Sequence, residues 1–201
     1  MLLRAGIADE RIAVIHTGIE MPIPVTRHTG PFTVGHLGAF TKEKGQDVAV
    51  AAARQLPDVR FVLAGEGPRR EELQAVAPPN IEFPGFVANL AEFFARIDLF
   101  VMPSRSEAWG LAALEAMAHG VPVVASDIQG LAEIVEPERS GWLFPAGDAE
   151  ALASRIRGLA AKRTGLEMYR AAARERAARF TVDRMAHETE AFYQHLLSLK
   201  R

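Results

Sequence analysis

Four short runs of unbroken apolar residues, each leading into a helix-forming stretch, set the limits on how this chain can fold. The runs are "FTVGHL" (32–37), "RFVLAG" (60–65), "DLFVMPS" (98–104) and "VPVVAS" (121–126). Helical stretches lie at "KGQDVAVAAARQL" (44–56), "RREELQAV" (69–76), "NLAEFFARI" (89–97) and "GLAALEAMAHG" (110–120). Strands that are apolar throughout, rather than at every second position, are buried on both faces. The predicted fold class is therefore α/β, a parallel sheet with helices on both faces. "GWLF" (141–144) reads as another short strand, and 148–161 as a helix capped by Asp148. The stretch from about 165 to 198 reads as helical, broken at 179–183, where Thr181 caps a new start. The first thirty residues give a scrap of helix, one strand and a proline-containing connection, as if they ended something preceding.

A chain of 201 residues, 49% of them apolar, is long enough for one sizeable core. Lys and Arg number 23 against 25 Asp and Glu, so no global basic field points to nucleic acid as a partner. The absence of cysteine excludes disulfides, thiolate metal sites and cysteine nucleophiles, and fits a reducing compartment. Charges come too early for a secretory leader, and no apolar run approaches the roughly 20 residues of a membrane span. The expectation is a soluble, cytoplasmic protein. Six scattered histidines show no metal-ligand spacing, so neither a metal nor another cofactor is expected.

In parallel sheets ligands bind beyond the carboxyl ends of the strands. The segments at those ends hold Gly35 and Gly38, then Gly65 and Gly67 in "AGEGP" (64–68), then "FPGFVAN" (83–89) and "PSRSEAWG" (103–110). Such glycines fit close approach by a ligand and equally fit turn geometry. In "SEAWGLAALEAMAHG" (106–120), a helix starting near 108–110 leaves the amides of Trp109, Gly110 and Leu111 unpartnered, a ready anion site. Leu111, Leu114 and Ala118 form the expected core stripe, with Glu115 flanking it. Glu115 lies about 7–8 Å further along the axis than Glu107, too far to share one ion. Two carboxylates so placed suit hydroxyl donors on either side of a bound phosphate. The plainer alternative makes Glu107 a favourable acid before a helix and Glu115 a solvated one.

"PSRSEAWGLAALEAMAHGVPVVASDIQGLAEIVE" resembles the signature of retaining glycosyltransferases of the large group 1 family (family 4). "VGHLGAFTKEKGQDVAVAAA", "LAGEGPRREEL", "IEFPGFVANLAEFFARIDLFVMPS" and the connection "IAVIHTGIE" are similar to the family's other motifs, in the family's order. The resemblance covers essentially the whole chain. It implies the C-terminal half of a GT-B enzyme, a Rossmann-like domain binding a nucleoside diphosphate sugar. Residues 1–30 would then be the end of a preceding domain and its connection, 31–180 the donor domain, and 181–201 a helix packing on the N-terminal domain. That other domain would bring the acceptor, a glycan, lipid or small molecule.

By the same resemblance, Lys44 neutralises the donor diphosphate, Glu107 lies near the transferred sugar and Glu115 binds the ribose. Trp109, Gly110 and Leu111 give backbone donors; Gly38, Gly65 and Gly67 line the loops; Phe86 and Val87 frame the base. Phe86 reads equally as core packing. Ala39 stands where the family commonly has arginine, and losing that clamp would cost about 2–4 kcal/mol of transition-state stabilisation. His36, Lys42 and Arg69 are the neighbours that could replace it. The implied reaction retains anomeric configuration and needs no metal. The alternatives are a non-catalytic nucleotide-sugar-binding module and another GT-B enzyme, such as an epimerase or a phosphorylase. A run of arginines between 155 and 179 reads as a solvated helix face, or as attraction toward an anionic membrane and a peripheral location there.

Overall fold

The computed structural model describes residues 11–23 and 28–199. Six parallel strands form one sheet: β1 (Thr33–Leu37), β2 (Arg60–Ala64), β3 (Ile81–Gly85), β4 (Leu99–Met102), β5 (Val123–Ser126) and β6 (Gly141–Phe144). Their spatial order is β3-β2-β1-β4-β5-β6. Helices α1 (Gln46–Arg54), α2 (Arg70–Val76), α3 (Leu90–Ala95), α4 (Leu111–Ala118), α5 (Gln129–Ala132) and α6 (Ala149–Ala161) each follow one strand. Helices α7 (Leu166–Ala177) and α8 (Val182–Ser198) complete the described chain.

The unbroken apolar runs have the expected cause. Along β4, Leu99 and Val101 pack with Val34, Phe61 and Val124 against α1 and α6, while Phe100 and Met102 pack with Phe94, Leu114 and Met117 on the other face. All four β4 residues are buried, each contributing on the order of 2 kcal/mol by removal from water. Asp148 and Thr181 cap as expected, accepting from the amides of Ala151 (2.9 Å) and Arg184 (3.2 Å).

Three expectations change. No strand forms in 12–18; Ile19 makes only an isolated bridge to Thr181, because the segment lies at the α7–α8 break and not at a sheet edge. The scrap of helix expected at the start lies outside the described residues. A sixth strand, β3, occupies what read as part of a loop; it tolerates Pro84 because it is an edge strand. Leu111 leaves the core stripe: it is 43% exposed as the first residue of α4, whereas Leu114 and Ala118 are fully buried. Among the described residues of α8 none is fully buried, and Tyr193 and Leu197 are exposed. No described helix is long and apolar enough to cross a membrane.

Candidate active site

The sheet order reverses between β1 and β4, since β1 continues to β2 on one side and β4 to β5 on the other. The loops after these two strands therefore part around a crevice. Lys44 stands in the loop after β1 and Glu107 in the loop after β4. They meet there: Lys44 Nζ donates to Glu107 Oε2 at 2.5 Å, with the side chains 29% and 13% exposed. Arg105 holds the two loops in register. Its amide donates to the Glu43 carbonyl (2.7 Å), and its guanidinium reaches the Lys42 carbonyl (3.1 Å) and both carboxylate oxygens of Asp47 (2.8 and 2.6 Å). That hydrogen-bonded fork holds the Asp47 carboxyl below the usual carboxylate range. Sequence reasoning missed both residues, because nothing in their local spacing links positions 58 apart.

Helix α4 opens on Gly110, a left-handed N-cap with φ 87°, where a Cβ would come within 2.6 Å of Leu131 Cδ2. The Gly110 carbonyl accepts from Ala113 and Leu114. The amides of Trp109, Gly110, Leu111 and Ala112 find no acceptor among the described residues, and no acid occupies the first turn. This end of the helix carries partial positive charge free to meet an anion. Glu115, one turn further in, is half-buried without a side-chain partner among the described residues, and burial pushes its carboxyl up. The Trp109 ring turns away from the helix end. Its Nε1 donates to the Thr17 carbonyl (3.0 Å) and its face stacks on His16 at 4.2 Å.

The loop after β2 nests against the loop after β1. Gly38 donates to the Ala64 carbonyl (3.1 Å), and a Cβ on Gly65 would collide with the Gly38 carbonyl. A Cβ on Gly67 would come within 2.6 Å of the Phe40 amide nitrogen. Packing alone thus accounts for glycine at 65 and 67. Phe86 is 78% exposed beyond β3, so the core reading for it fails; Val87 packs partly buried against the core.

Residues 31–162 match the family model described as glycosyl transferases group 1. The chain belongs to that family. The glycosyltransferase WcaL of Escherichia coli (strain K12), named for colanic acid biosynthesis, is 34% identical over 176 residues, 77% of this chain and 43% of that protein. The chain spans less than half the length of the curated relatives it matches first. The structure of Anabaena HepE in complex with UDP and glucose matches with a TM-score of 0.75 and 26% identity, over 81% of this chain and 48% of that one. The C-terminal domain of a group 1 glycosyl transferase, LpcC of Francisella tularensis, matches with a TM-score of 0.66 and 25% identity, over 75% and 87%. The Rossmann-like sheet is that of the GT-B glycosyltransferases.

Around Ala39 this family member has three neighbours, His36, Lys42 and Arg69, to weigh as replacements for the absent arginine. His36 is not one: it is fully buried, with Nδ1 donating to the Val101 carbonyl (3.0 Å) and Nε2 facing Gln46 (3.1 Å). Burial lowers its pKa to about 4, so it is neutral at pH 7. Arg69 is committed to Glu72 (2.8 Å) and Asp47 (3.3 Å). Lys42 is exposed, its ammonium without a partner among the described residues. Several arginines of the 155–179 run turn inward as tethers: Arg163 and Arg170 bind the buried Asp98, and Arg174 binds the carbonyls of Ala118 and Pro22.

Proposed function

We propose that this chain is the donor-binding half of a retaining glycosyltransferase, moving a sugar from a nucleoside diphosphate sugar to an acceptor hydroxyl. The observation that carries the reading is the Lys44–Glu107 pair at the switch point, beside the unpartnered amides that open α4. Bound UDP and glucose in HepE support a nucleotide sugar as the ligand. On donor binding, Lys44 exchanges Glu107 for the diphosphate, and Glu107 is freed to accept hydrogen bonds from sugar hydroxyls. Glu115, half-buried without a donor among the described residues, gains one from the ribose.

Transfer breaks the bond between the anomeric carbon and the diphosphate oxygen, and charge grows on the leaving group. Lys44, the α4 amides and Lys42 in place of the absent arginine offset that charge, the task a divalent ion performs in other transferases. No metal is assigned a role; among the described residues no three His, Asp or Glu side chains are grouped to hold one. The acceptor, a glycan, lipid or small molecule, would be presented by a further domain.

A screen of UDP and GDP sugars for thermal stabilisation tests the reading, since a ligand bound only by the folded state raises stability by mass action. Glu115→Ala should lose the shift for the nucleoside diphosphate itself, and Glu107→Ala the added shift given by the sugar. Wild-type shifts in both variants would overturn the site. The exposed Ala39 favours a second reading, a module that binds donors without transfer; assay of the whole protein with acceptor separates the two.

A further inference from the structure

Three hydrogen bonds in series run from β4 to the loop that joins β1 to α1. His36 Nδ1, on β1, donates to the Val101 carbonyl of β4 at 3.0 Å. His36 Nε2 accepts from Gln46 Nε2 at 3.1 Å, and the same amide donates to the Ala39 carbonyl at 2.7 Å, 7 positions back along the chain. Burial, with Lys44 nearby, keeps His36 neutral at pH 7, so Nε2 stays an acceptor; a protonated ring would set a second donor against the Gln46 amide.

Gln46 opens α1 beside the left-handed Gly45, and its side chain folds back across the loop, closing residues 39–46 into a ring. Lys42 and Lys44 are carried on that ring. Arg105 grips the Lys42 and Glu43 carbonyls from the neighbouring loop, whereas Gln46 joins the loop's two ends. Gln46 Oε1 is buried with no partner among the described residues. Methionine would fill the same space without stranding an oxygen, so what glutamine adds is the grip of Nε2 on His36 and Ala39.

We infer that His36 and Gln46 are positioning residues for the diphosphate: through the Ala39 carbonyl they set the loop that places Lys42 and Lys44. Both are fully buried, so neither reaches the ligand itself. The inference rests on the donor site proposed above. A lysine on a loosened loop keeps its charge and loses its place, which weakens its hold on a diphosphate more than on a monophosphate held by base, ribose and the α4 amides.

Titration calorimetry with UDP and UMP, or with GDP and GMP if guanine is the base bound, separates placement from stability. Gln46→Met should lower diphosphate affinity by about fivefold or more and monophosphate affinity by less than about twofold. Val50→Ala, also buried on α1, should lower Tm and leave the ratio of the two affinities unchanged. Adding His36→Phe to Gln46→Met should cost less than about twofold more, since the two act through one series of bonds. Melting curves establish that each variant folds; if Gln46→Met does not, His36→Phe alone is read for the same fall in the ratio. An unchanged ratio in Gln46→Met, an equal fall in Val50→Ala, or a fully additive loss in the double variant overturns the inference. A wild-type chain that binds neither UDP nor GDP overturns the donor reading and this inference with it, whereas a wild type that binds and a variant ratio that holds overturn this inference alone.

Discussion

Lys44 Nζ lies 2.5 Å from Glu107 Oε2, so the cation proposed for the diphosphate and the carboxylate proposed for the sugar neutralise each other across the crevice. A donor must part them, and the cost of parting is set against its affinity. Glu107→Gln removes that competition and should tighten UDP binding by up to about fivefold, the scale of a partly exposed pair worth roughly 1 kcal/mol or less. Lys44→Ala should weaken it by about tenfold or more, on the scale of a hydrogen bond to a charged group. Titration calorimetry reads both, and weaker UDP binding by Glu107→Gln would contradict the exchange.

Glu115 gives a prediction of opposite sign for stability and binding. Burial raises its folded pKa above the unfolded value, so the folded state holds that proton more tightly and the ionised form is penalised. The penalty is absent below the unfolded pKa and complete above the folded one. Glu115→Gln should therefore raise Tm at pH 7, with the gain shrinking as pH falls through the carboxylate range, while UDP binding drops. Melting curves from pH 3.5 to 8 would show it; a constant or growing advantage at low pH would refute the assignment.

The parts of this fold that were legible in advance share a cause. Strands buried on both faces, such as Leu99–Met102, leave an apolar run with no other explanation, and the caps Asp148 and Thr181 act within three residues. What escaped was decided by neighbours. Pro84 marks a loop until the strand is known to lie at an edge. Leu111 fits the helical stripe, and its exposure follows from the helix starting at that residue. In the site, Lys44, Glu107 and Glu115 were named by motif, whereas the clamp of Arg105 on Asp47 needed the loops in three dimensions.

Phe86 separates recognition from stability. Its ring is 78% exposed, so Phe86→Ala should change unfolding free energy by no more than about 0.5 kcal/mol. If the ring covers a base, the same change should weaken UDP and GDP several-fold while leaving inorganic pyrophosphate untouched. Equal losses for all three ligands would assign Phe86 to loop placement.

Asp98 is the polar joint at the opposite end of the sheet. Its side chain is 2% exposed; Oδ2 accepts from the Thr33 amide (3.0 Å) and lies 3.2 Å from His28 Nε2, and Oδ1 takes Arg163 at 2.9 Å and Arg170 at 3.3 Å. The carboxylate thereby binds the start of β1 and the start of α7 to β4. Arg170, with a side chain only 10% exposed, keeps just the exposed Glu167 (3.2 Å) as a partner if Asp98 goes. Asp98→Ala leaves the buried Arg170 with that one exposed partner and strips the Thr33 and Arg163 contacts, and should cost about 3 kcal/mol. Pairing it with Arg170→Met removes the stranded charge and should recover a large part of the loss. Urea unfolding of the single and double variants measures both, and a double variant as unstable as Asp98→Ala would place the cost in the Thr33 and Arg163 contacts instead.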